Sequence, residues 1–203
     1  MAYGLLIYII KIMLKKLEKF MLLLHKKYGI TPDILTYVRI FSAPWLALLV
    51  SKIISNKSLM LAIFTLILYI LVVATDFLDG ILARAISKTE NHNHSHGGML
   101  DRLADKILII FMLIPFGLNL FTFLIILAES ILAFQAIYSP SHEKQATYAG
   151  KIKMVLQAFL IPILILQLVT NFIPEMIVYI YIIITIISTW VSVYSHYFYF
   201  KND

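Results

Sequence analysis

Six long apolar stretches, at about 34–54, 59–83, 101–119, 120–138, 151–172 and 174–200, are separated by polar or helix-breaking positions at Asn56-Lys57, 87–98, Asn119, 139–149 and Pro174. A spanning helix needs roughly 20 consecutive apolar residues, so the pattern predicts six transmembrane helices in an all-α, polytopic membrane protein. Ahead of them, Leu5, Leu6, Ile9, Ile10, Met13, Leu14, Leu17 and Met21 are interleaved with Lys11, Lys15, Lys16, Lys19, Lys26 and Lys27. That spacing predicts an amphipathic helix over 1–28. The lysines follow the first apolar run and no small-residue cleavage site appears, so the helix is expected to lie on the membrane surface rather than act as a removed signal. Gly29 and Pro32 end it, which divides the chain into a surface helix, 1–29, and a membrane domain, 30–203.

Composition agrees with lipid as the solvent. Of the 203 residues, 61% are hydrophobic and 14% charged, against about a quarter charged in soluble domains. The net charge of +6 reads as topology rather than nucleic-acid binding. With the N-terminal lysines inside, Lys52 and Lys57 are the only basic residues of 17 that fall outside, as the positive-inside rule requires. Both termini and the 84–105 and 139–153 regions then face the cytoplasm, at the plasma membrane. With no cysteine in the chain, thiol nucleophiles, thiolate ligands and disulfides are excluded.

Chemistry concentrates where the second stretch ends and the third begins. The chain reads Asp76-Phe-Leu-Asp79-Gly80-Ile-Leu-Ala83-Arg84, then Gly97-Gly-Met-Leu-Asp101-Arg-Leu-Ala-Asp105. Helical spacing puts each aspartate pair on one face, and the two faces can oppose. Four carboxylates at one membrane edge, two of them near the negative end of a helix dipole, call for a bound cation. Hard oxygen ligands point to Mg²⁺ or Mn²⁺. The plainer alternative is a solvated rim in which these acids cap helices or pair with Arg84, Arg102 and Lys106.

The pattern D-x-x-D-G-x-x-A-R followed by G-x-x-x-D-x-x-x-D resembles the signature of the CDP-alcohol phosphatidyltransferases. Leu35-Thr36-x-x-Arg39-x-x-x-x-Pro44 and Gly150-Lys151-x-Lys153-x-x-x-Gln157 are similar to phrases of the phosphatidylglycerophosphate synthases within that family. The resemblance implies a six-helix enzyme, in a family whose members are often homodimers, that moves a phosphatidyl group from a CDP-lipid to an alcohol and releases CMP. It implies a two-ion site in which Asp76, Asp79, Asp101 and Asp105 are metal ligands. Asp105 is also the general base, and Asp79, Gly80, Ala83, Arg84 and Gly97 shape the CDP pocket. The leading acceptor is glycerol 3-phosphate, with Lys151 and Lys153 holding its phosphate; phosphatidylglycerol, for cardiolipin, and inositol phosphate follow.

Two departures from the family pattern stand out. Residues 85–96 form a longer spacing than usual, around Glu90-Asn-His-Asn-His-Ser-His96, whose alternating His92, His94 and His96 read as an exposed insertion rather than a zinc site. Ala128 stands where such synthases usually carry an arginine before the acid, here Glu129, which leaves Glu129 as an alternative contact for a neutral polyol hydroxyl. A divalent-cation transporter is the rival from another class. Its sites usually lie near the bilayer midplane within repeated halves, whereas these acids lie at helix ends and no second half is visible.

Overall fold

Helix ends fall at the polar breaks. A computed structural model of the chain describes residues 2–90, 97–138 and 148–201. Among them are the helices α1 (Ala2–Tyr28), α2 (Pro32–Asn56), α3 (Leu59–Glu90), α4 (Gly97–Leu113), α5 (Leu120–Tyr138), α6 (Tyr148–Thr170) and α7 (Glu175–Lys201), with a 3-10 turn at Ile114–Phe116. The histidines at 92, 94 and 96 lie outside the described residues.

The caps follow residue chemistry. Gly29 turns the chain out of α1 at φ +68°, a conformation that costs a glycine little. Thr31 accepts from the Ile34 N–H at 3.4 Å, and Pro32 takes the first helical position, where its missing N–H has no helical partner to lose. Asn119 Oδ1 accepts from the Phe121 and Thr122 N–H groups, both at 3.0 Å, and starts α5.

Among the described residues, five helices are long and apolar enough to cross a membrane: α2, α3 as far as Ser87, α5, α6, and α7 as far as Phe198. The sixth expected span maps to α4, whose 17 residues rise about 25 Å. Asp101, Arg102, Asp105 and Lys106 occupy its opening turns, so length and charge both hold it below the usual measure of a span. Large apolar side chains point outward, with Phe41, Trp45 and Met60 at 69%, 71% and 83% exposure. That inversion suits lipid on the outside.

α2 packs chiefly on α3 and α4, α6 on α7, and α5 on α4 and α7. The core is built from Ala43, Leu46 and Val50 of α2, Tyr69 of α3, Met112 of α4, Ile125 of α5 and Leu160 of α6. Lipid is as apolar as these side chains, so close packing and buried hydrogen bonds, rather than exclusion from water, hold the helices together. Pro162 inside α6 has no N–H to offer the Ala158 carbonyl. The Tyr69 hydroxyl of α3 donates to that carbonyl at 3.3 Å, so the break in one helix becomes a tie to another.

α3 continues to Glu90, past the predicted boundary at 83. Leu82 and Ile86 are buried with Met21 of α1, and this contact keeps the chain helical beyond its apolar run.

Candidate active site

Successive helices alternate in direction, so one end of the bundle gathers the start of α2, the end of α3, the start of α4, the end of α5, the start of α6 and the end of α7. Asp76 and Asp79 arrive on α3, Asp101 and Asp105 on α4. One oxygen each from Asp76, Asp101 and Asp105 lies within 4.8 Å of the other two. Asp79, 5% exposed, joins the group through a fifth side chain, Arg39 of α2.

Arg39 is completely buried. Its Nη1 lies 2.6 Å from Asp105 Oδ1, 2.9 Å from Asp101 Oδ1 and 3.3 Å from Asp76 Oδ1, and its Nη2 donates to Asp79 Oδ2 at 2.7 Å. One guanidinium thus touches all four acids. The donor set fits a hard divalent cation on two counts. The oxygens of Asp76, Asp101 and Asp105 are close enough to share an ion, and a single positive charge among the four acids leaves most of their negative charge uncompensated.

Beside the carboxylates is a cavity of about 110 Å³. Arg39, Asp76 and Asp105 line one part, and Glu129 of α5 with Lys153 and Gln157 of α6 line another; Tyr69, Arg102 and Lys106 also border it. Lys153 Nζ lies 2.8 and 3.0 Å from the two Glu129 oxygens. Gln157 Nε2 donates to Glu129 Oε1 at 2.6 Å and to Thr189 Oγ1 of α7 at 3.2 Å. Glu129 and Lys153 are 1% and 5% exposed. The polar network therefore joins three helices inside the bundle.

Asp105 lines this cavity; Asp101 does not. Lys151 is exposed and outside the lining, whereas Lys153 is within it. Gly80, Ala83 and Arg84 follow Asp76 on one face of α3, with Ala83 and Arg84 exposed. Arg84 Nε donates to the Gly80 carbonyl at 2.8 Å, and these residues do not line the cavity. Gly97 opens α4.

Sequence reasoning gave Arg39 only a place in a motif and passed over its contact with every acid of the cluster. The available signal was an arginine in a helix with no other charge between Asp33 and Lys52, since an ionisable residue inside a span marks function by default.

No curated protein and no solved structure matches the chain. The sequence model of one family, CDP-alcohol phosphatidyltransferase, matches residues 29–193. That range takes in Arg39, the four aspartates and the Glu129–Lys153–Gln157 network, and on this ground the chain belongs to the CDP-alcohol phosphatidyltransferase family.

Proposed function

We propose that this enzyme transfers a phosphatidyl group from a CDP-lipid to a phosphorylated polyol, with glycerol 3-phosphate the first candidate, and releases CMP. The observation that carries the proposal is the Asp76–Asp101–Asp105 cluster, of which Asp76 and Asp105 line a cavity also bordered by Arg102, Lys106 and Lys153. An anionic donor and an anionic acceptor both need such surroundings. Asp76, Asp79, Asp101 and Asp105 would hold Mg²⁺ or Mn²⁺, in two sites. The ions would neutralise the donor pyrophosphate and stabilise the departing CMP.

The chain's own residues supply the rest. The CDP group is received by Asp79, Gly80, Ala83, Arg84 and Gly97, with the exposed Arg84 guanidinium available to a phosphate. Of the two α4 acids, Asp105 lines the cavity and takes the acceptor hydroxyl's proton. Residues 30–203 carry this chemistry, with six crossings, α4 being the sixth. Residues 1–29 lie along the inner surface of the plasma membrane, and the site faces the cytoplasm. A homodimer is the expected assembly.

One observation favours a second acceptor class. Lys153 already contacts both Glu129 oxygens, so its charge is compensated before any phosphate arrives, and that wall would suit a neutral polyol hydroxyl. Incubating purified enzyme with CDP-lipid and a panel of alcohols, phosphorylated and not, then weighing the products, separates the two. The proposal expects glycerol 3-phosphate to be converted and its KM to rise in Lys153→Ala. Conversion of unphosphorylated alcohols alone would replace it with the second class.

A further inference from the structure

We infer that Arg39 is a positioning residue that doubles as a resident counter-cation. It holds the four carboxylates together without a divalent ion, and it contends with that ion for the same oxygens. The inference rests on the metal-site reading above and adds a determinant of metal affinity that the signature aspartates do not contain.

Three features of the geometry carry it. Nη1 reaches one oxygen each of Asp76, Asp101 and Asp105, the three acids whose ligand atoms cluster. Nη2 is committed to Asp79, so the planar fork ties α2 to α3 and α4 together and cannot be replaced by a point charge of the same sign. Nε is buried with no hydrogen-bond partner among the described residues. Among the described residues the guanidinium is therefore held through Nη1 and Nη2, by its carboxylate contacts.

Two cations that draw on the same oxygens oppose each other, and the coupling is reciprocal. Removing the guanidinium therefore has two linked consequences. The ion-free protein loses the charge that offsets its acids and becomes less stable, and a divalent ion binds more tightly because its competitor has gone. A purely structural arginine would give the first without the second.

The test is Mn²⁺ affinity of the full-length protein in detergent, read from the electron paramagnetic resonance of free Mn²⁺ with no CDP-lipid present, alongside thermal unfolding. Arg39→Gln should bind Mn²⁺ about 5- to 100-fold more tightly than the parent. It should unfold at lower temperature in chelator and recover more than the parent does on adding Mn²⁺. Arg39→Lys, which keeps a charge but reaches fewer oxygens, should also bind more tightly than the parent, by a smaller factor, and it carries the test where Arg39→Gln does not accumulate. Folded variants that bind Mn²⁺ no more tightly than the parent overturn the inference and leave the metal site standing. If parental Mn²⁺ binding is absent, or unchanged by Asp76→Asn, the metal-site reading falls and this inference with it.

Discussion

Asp76, Asp101 and Asp105 present oxygens within 4.8 Å of one another around a single guanidinium, and removing one of these charges should show in catalysis before it shows in folding. Asp76→Asn and Asp101→Asn are expected to lower CMP formation by about 10²-fold or more, the usual effect of losing a preorganised electrostatic contact. Wild-type rates in either variant, with folding verified by unfolding temperature, would remove these acids from the site. Asp105→Asn should reduce turnover by about 10²–10⁴-fold while CDP-lipid still binds, as for a lost general base. Lost donor binding with retained turnover would make Asp105 a ligand alone. The four acids were legible in the sequence because each pair obeys a helical spacing that local chemistry fixes. The contacts of Arg39 were not, since its partners lie 37 to 66 residues away and no local pattern encodes that approach.

Between helices, the ties are few and specific. Tyr69 meets the Ala158 carbonyl that Pro162 leaves open, so Tyr69→Phe and Pro162→Ala should be non-additive. The first variant orphans the carbonyl, and the second gives it back a helical N–H. A coupling of about 0.6–1.7 kcal/mol is expected from a double-mutant cycle on unfolding in detergent, and additive losses would contradict the tie. Lys153→Ala should destabilise by about 3–5 kcal/mol, because it leaves the buried Glu129 carboxylate without its charged partner. The exposed Lys151→Ala should stay within about 0.5 kcal/mol. Equal losses in the two would deny the Glu129–Lys153 pair its place in the fold. Helix starts were readable because Thr31-Pro32 and Asn119 cap by local rules. The end of α3 was not, because Leu82 and Ile86 owe their order to Met21 on a separate helix. Lys153 could be placed at a helix start from sequence, but its partner on α5 could not.

The whole molecule alternates its helices so that every chemically important end meets on one side. On the proposed topology that side is cytoplasmic, and the absence of cysteine makes the arrangement easy to map. Lys57→Cys should be labelled by an impermeant maleimide in intact cells, and Ser87→Cys only after the membrane is opened; the reverse pattern would invert the site. The apolar runs made six helices legible along the chain, while α4 shows why counting spans from composition is harder, since the residues that build the site also shorten its apolar stretch. The most direct measurement of the central claim is release of radiolabelled CMP from a CDP-lipid by the purified protein, with and without an alcohol acceptor, Mg²⁺ or Mn²⁺, and chelator. Release that requires both acceptor and divalent ion, and that disappears in Asp76→Asn, is the predicted result. Full release in excess chelator, or none with any acceptor in the panel, would contradict the account.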